Sequence, residues 1–140
     1  MSLGVAVSPD GSKLYVTTSS NLIRQFNLAN GTELTSVTLP TSANLHYLEV
    51  HDGDLYAAAL YDSKVHRFTI ESDTLTLRDS FAASSPVGIA FSPDGLEMFV
   101  SGHLNSDLIN RYAYDPVQDT WTSSGSLSTS VSLCDLVVVK

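Results

Sequence analysis

Four histidines and fifteen acidic residues are the groups in this 140-residue chain able to move protons or hold a cation. The most useful of them for chemistry are His46, His103, Asp62, Asp107 and Asp135, because all five fall in Ser-, Thr-, Asn- or Gly-rich loops. An imidazole and a carboxylate brought together there would make a general acid–base pair or the beginning of a metal site. Tyr61 and Asn105 lie in the same loops and add hydrogen-bonding capacity. Oxygen donors outnumber imidazoles in this set, so calcium suits it better than zinc. Neither His-x-x-x-His nor Glu-x-x-His spacing occurs, however, and a single loop histidine is ordinarily polar surface. The expectation is therefore a ligand-binding face, with no catalytic residue and no cofactor assigned. His51 and His66 fall outside these loops and are expected to be structural.

Other chemical motifs are missing from the chain. It has no Gly-rich phosphate loop, Gly-x-Ser-x-Gly elbow or Cys-x-x-Cys pair. Cys134, the one cysteine, sits in an apolar run and reads as a small core residue. Asp10, Asp52 and Asp94 recur, but each precedes a glycine and fits a turn-capping role better than a carboxylate pair. Arg24, Arg67 and Arg111 also recur near one repeat position, where a solvated outer row is the plainer reading than an anion site. Asn30-Gly31-Thr32 matches a glycosylation triplet, yet Asn-Gly is also the favoured type I′ hairpin turn, and the turn is preferred.

What must position the loops is a repeat. Gly11, Gly53 and Gly95 stand 42 residues apart, each preceded by aspartate, and Ser-Pro-Asp-Gly occurs at 8–11 and again at 92–95. After each glycine comes a short apolar strand: Lys13 to Val16, Leu55 to Ala58, Glu97 to Val100. A third follows around a basic residue, as in Leu22 to Phe26, Val65 to Phe68 and Leu108 to Tyr112. A fourth closes the unit, as in Leu34 to Val37, Leu75 to Leu77 and Trp121 to Ser123. Alternating apolar residues between Gly, Asp, Asn and Ser turns make this an all-β antiparallel meander, and no window has a helical period. In the first unit the strands are expected near 3–8, 13–18, 22–28 and 33–39. Gly4 to Val7 and Gly88 to Phe91 are small and uncharged, as an innermost strand crowded by neighbours requires. Stacking such sheets radially buries both faces of each.

These residues, Gly4 to Gly11 with Leu14-Tyr15-Val16 and Gly88 to Gly95 with Met98-Phe99-Val100, resemble the blades of YVTN-type and lactonase-like β-propellers. WD40 and kelch repeats are neighbouring alternatives. The WD40 turn is shared, but no Trp-Asp pair closes a third strand, and Tyr114 to Thr122 echoes kelch without its paired glycines. All three imply one architecture: blades of four antiparallel strands, at about 3–40, 41–82 and 83–128, with the start of a fourth at 129–140. Three blades leave apolar faces at both ends of the stack. The partners expected to cover them are other blades, from a longer chain or from a second copy. A longer chain is favoured, since the spare inner strand would compete with residues 3–8 of a second copy. The lactonase-like resemblance implies hydrolysis of cyclic esters, with residues gathered from more blades than are present.

A formal net charge of −8 opposes binding to phosphate backbones or anionic lipid, so no nucleic-acid partner is expected. No apolar run reaches the roughly 18 residues of a membrane-spanning helix, and Met1-Ser2-Leu3 lacks the features of a signal peptide, so no membrane insertion is expected. Few lysines and many Ser and Thr lean towards an extracellular or surface location, with the cytoplasm left open. The resulting expectation is a non-enzymatic module presenting its loop face to a protein or glycan. The alternative is part of a lactonase-type hydrolase with a divalent ion in its central channel.

Overall fold

The computed structural model describes residues 4–18, 20–41, 43–103 and 107–129. The described residues form twelve strands and no helix. The first sheet holds β1 (Val5–Val7), β2 (Lys13–Thr17), β3 (Leu22–Asn27) and β4 (Val37–Thr38). The second holds β5 (Leu45–His51), β6 (Asp54–Ala59), β7 (Lys64–Glu71) and β8 (Thr74–Ala82). The third holds β9 (Pro86–Phe91), β10 (Glu97–Gly102), β11 (Leu108–Asp115) and β12 (Thr120–Ser128). Each is an antiparallel meander in sequence order. The first strands adjoin one another, β1 to β5 and β5 to β9, so the sheets are blades stacked about a common inner edge. The three-bladed, all-β reading of the sequence is what the structure contains; the start of a fourth blade, with Cys134, lies outside the described residues.

Alternation along β6 explains how the stack holds. Leu55, Ala57 and Ala59 join Tyr15, Ile23, Leu45 and Phe68 in a core between blades 1 and 2. Tyr56 and Ala58 join Val65, Ile89, Met98, Tyr112 and Trp121 in a second core between blades 2 and 3. Both faces of the middle blade are thereby removed from water, and every residue of β6 is buried. The outer face of blade 1 differs: Val5 and Val7 remain 56% and 47% exposed. At the inner edge the crowding is tight. A Cβ on Gly4 would lie 2.6 Å from the Leu48 nitrogen and 2.8 Å from Tyr47 Cα.

The two Ser-Pro-Asp-Gly turns are built alike. Gly11 N–H donates to the Ser8 carbonyl at 2.9 Å, Ser8 Oγ donates to Asp10 at 2.6 Å, and Gly11 takes a φ of 72°. Gly95 N–H repeats the bond to Ser92 at 2.9 Å, with φ of 73°. Hydrogen bonds from Ser8 and Ser12 hold the Asp10 carboxyl down at about 2. Blade 2 departs from this. Asp52 (φ 48°) and Gly53 (φ 83°) form a two-residue hairpin loop with both residues left-handed, so Asp52 is a turn residue of another kind.

Three sequence expectations are corrected. The fourth strand of blade 1 is regular only at Val37–Thr38; pairing with β3 resumes where Glu33 bridges Phe26, and between them the Thr35 carbonyl accepts from the Gln25 side chain at 2.5 Å. Asn30-Gly31 is a turn but not type I′: only Gly31 has positive φ, at 71°, and Gly31 N–H reaches back to the Asn27 carbonyl. The arginines are not one solvated row. Register sets Gln25, Arg67 and Arg111 opposite Tyr15, Tyr56 and Phe99, with Arg24 one position displaced.

Arg67 is 5% exposed at the junction of blades 2 and 3. Its Nε donates to Asp54 at 2.6 Å, and Nη2 and Nη1 donate to the side chain and carbonyl of Asp119 at 2.9 and 3.2 Å. It lies over the rings of Tyr56 and Tyr114. A bulge at Arg67/Phe68 lets Arg78 join it on both carboxylates.

Two stability predictions follow from these contacts. Gly4→Ala should cost about 1–3 kcal/mol in urea unfolding, since the added carbon meets backbone that cannot retreat; an unchanged midpoint would show that the inner edge is loose. Arg67→Ala should cost about 3–5 kcal/mol by leaving carboxylates short of a partner. Arg67→Met, which fills the space while Arg78 remains, should recover only part of that loss, and a midpoint equal to that of the unmodified chain would contradict the ionic account.

Candidate functional site

The loops entering the inner strands β5 and β9 and the segments leaving the second strands β6 and β10 converge on a cleft of about 830 Å³ lined by Asn44, His46, Leu60, Tyr61, Ser85 and His103. His46 comes from β5, beside an irregular pairing between Leu45 and Tyr47; His103 follows β10 in the next blade. The two rings stand edge to face, with centroids 6.1 Å apart. Asn44 and Ser85 hold equivalent places before β5 and β9, and both have φ of 46°, an uncommon conformation that concentrates at ligand sites. Backbone bonds fix them: Leu60 N–H and Tyr61 N–H donate to the carbonyls of Asn44 and Ala43, and His103 N–H donates to the Ser85 carbonyl at 2.8 Å. Tyr61 is left 73% exposed, with its ring open at the rim.

The Asn44 amide donates to His46 Nε2 at 3.3 Å, which places the ring proton on Nδ1. Burial, and then the neighbouring His103, push the His46 pKa below its ordinary value, so this ring is neutral in the folded chain. A neutral imidazole facing a second imidazole in a cleft of mixed polar and apolar lining can donate through one ring and accept through the other.

Of the residues singled out from sequence, His46, Tyr61 and His103 are brought together here. Asp62 is adjacent in the chain but turns to other partners: its carboxylate accepts from the Thr41 hydroxyl and lies 3.2 Å from His66 Nε2, while His66 Nδ1 meets Ser80 at 2.7 Å. His66, expected away from this end, is thus tied to it. The order Ser80, His66, Asp62 imitates a charge-relay triad, yet Ser80 sits on the outer strand β8 and lines neither this cleft nor those at the turn face. The network instead fixes the Tyr61 loop. Asp107 is exposed, and its carbonyl accepts from Thr129. Asn105 and Asp135 lie outside the described residues. Asn44 and Ser85 fall in the loops expected on this face, 41–46 and 84–88, without being singled out, and Leu60 was missed. Among the described residues there is no group of three or more His, Cys, Asp or Glu side chains that could hold a metal ion.

No family model and no curated protein matches the chain. Solved structures do. A protein from Bacteroides fragilis, assigned as a 6-phosphogluconolactonase, superposes with a TM-score of 0.85 at 20% identity, over 98% of this chain and 44% of that one. The periplasmic gluconolactonase PpgL of Pseudomonas aeruginosa gives 0.76 at 22% identity, over 89% of this chain and 39% of that one. The fold is that of a β-propeller. It is shared with the Cps50 (Swd1) β-propeller domain of Myceliophteria thermophila, at 0.76 and 15% identity over 98% of this chain and 46% of that one. This propeller segment spans less than half the length of each of the three, and at these identities the likeness fixes architecture alone. No helix among the described residues is long and apolar enough to cross a membrane.

Burial gives the site a pH signature. His46, His51 and His66 all have pKa values pushed down, in each case chiefly by desolvation. Above the unfolded-chain value of about 6.5 all three are neutral in both states; below it the unfolded chain takes up protons that the folded chain resists. Stability should therefore be full above pH about 7 and fall as pH drops through 6.5 towards the lowered values. Ring titration by NMR should put His46 and His66 below the free-histidine midpoint; midpoints at or above it would refute the buried, neutral assignment.

Proposed function

We propose that this segment supplies part of the ligand site of a lactonase-type propeller, with the His46–His103 cleft receiving the sugar ring. The observation that carries the reading is the pair of imidazoles, one held neutral, in a cleft whose other walls are amide, hydroxyl, phenol and one leucine. Two of the named structural neighbours bear gluconolactonase names, which favours the hydrolase reading over a non-enzymatic module. In ester opening, His103 would accept a proton from the attacking water, while His46 Nδ1–H donates to the carbonyl oxygen as negative charge develops there. Collapse of the tetrahedral species breaks the ring C–O bond, and His103 returns the proton to the departing alkoxide. No step is routed through a cation. Residence outside the cytoplasm belongs to the same proposal and is supported by the periplasmic neighbour.

Sugar binding without turnover is the second reading, favoured by the exposed Tyr61 ring, a stacking platform for a sugar face. One experiment separates them. Titrating the chain with gluconolactone should shift the His46 and His103 ring resonances, and His46→Ala or His103→Ala should each weaken binding about tenfold, the worth of a hydrogen bond in a partly dry site. Hydrolysis above the spontaneous rate supports the lactonase reading; the same shifts without hydrolysis support sugar binding. No shift of either ring would overturn both.

A further inference from the structure

At both junctions between described blades, a cation on the leading blade meets an aspartate in the turn between the third and fourth strands of the next. Lys13 Nζ lies 3.2 Å from Asp73, between blades 1 and 2. Arg67 Nη2 lies 2.9 Å from Asp119, between blades 2 and 3. Blade 3 then repeats the leading half of this arrangement. Arg111 lies over Phe99 at 5.9 Å and pairs with Glu97, as Arg67 lies over Tyr56 and pairs with Asp54. The second half is missing among the described residues. Arg67 gives Nε to the acid of its own blade and Nη1 and Nη2 to Asp119 of the next; Arg111 gives Nη2 to Glu97, meets no acid of another described blade, and leaves its side chain 36% exposed against 6% for Arg67.

We propose that this face of blade 3 docks a further blade bearing an acidic side chain in the turn between its third and fourth strands, and that this blade is not blade 1 of a second copy. The corresponding turn of blade 1, Leu28-Ala29-Asn30-Gly31, carries no carboxylate. Gly31, at φ of 71°, holds the left-handed place that Asp119 holds at 55° in blade 3. The next acid, Glu33, is already held by Arg24 through both oxygens at 2.8 and 2.5 Å. A second copy would thus bring an apolar face, Val5 and Val7 with Leu14, Val16 and Phe26, over the Arg111–Glu97 pair and offer its guanidinium no further acceptor. Covering a charge without completing its hydrogen bonds is costly. The occupant is a blade of different sequence, whatever ligand the loop face takes.

Supplying the missing carboxylate tests this. Gly31→Asp places aspartate where Asp119 shows that it tolerates a left-handed backbone; Asn30→Asp is the companion variant at a position without positive φ. Light scattering should show at least one of them, folded by circular dichroism, self-associating about tenfold or more tightly than the unmodified chain. Added Arg111→Gln should reverse that gain, and salt should weaken it. A stable dimer of the unmodified chain would overturn the proposal. So would two folded variants whose association state matches that of the parent.

Discussion

Arg67 is a cation with almost no water around it, and the junction of blades 2 and 3 is arranged around that fact. Three kinds of compensation converge on one guanidinium. Asp54 comes from its own blade, Asp119 from the next, and the faces of Tyr56 and Tyr114 close it from either side. A buried pair on its own is weak evidence of stability, because desolvation consumes most of the Coulomb gain. Its effect here is geometric. The fork of Arg67 can satisfy both carboxylates only when the turn of blade 3 stands at one height against β7, so the pair fixes how the blades mesh while the apolar core supplies the cohesion.

Cohesion is unevenly distributed as a result. The middle blade has two covered faces and a β6 buried from end to end, whereas blade 1 has one face against Leu45, Leu48 and Phe68 and one bearing half-exposed valines. A four-stranded sheet has two apolar faces and cannot bury both alone. The apolar alternation that makes each strand also makes each blade dependent on a neighbour.

Much of this was legible in the sequence, for a physical reason: turn residues and period-two alternation are local, and the repeat displays them three times. Ser8 to Gly11 and Ser92 to Gly95 reported a turn that forms as their chemistry dictates. What local reasoning could not supply was register between strands and facing between blades. Arg24 aligned with Arg67 by spacing, but the cross-strand partner of Tyr15 is Gln25, and one residue of slip in a strand reverses the face. The cleft was half visible. His46 and His103 stood out by type, whereas Leu60 and Ser85 are ordinary residues that become wall only through their position. Asp62 was misjudged in its company: it lies in the turn before β7, and the chain's reversal there brings its carboxylate to His66 on that strand.

The junction and the cleft are coupled through one rigid contact. His46 belongs to blade 2 and His103 to blade 3, so the separation of their rings is set by how β5 and β9 lie against each other. That packing is shared with the aromatic cluster of Tyr56, Phe91 and Trp121, and His51 stacks on Phe91 at 4.0 Å where β5 ends. The Arg67 clamp lies in the same interface, beyond the cluster. A tilt of one blade would therefore change the reach between the two imidazoles without altering any residue of the cleft. The proposed ester opening depends on how closely the two rings are held to one geometry. An ionic clamp that permits one height of blade 3 against blade 2 adds a directional constraint on that distance to the one the packed side chains already impose.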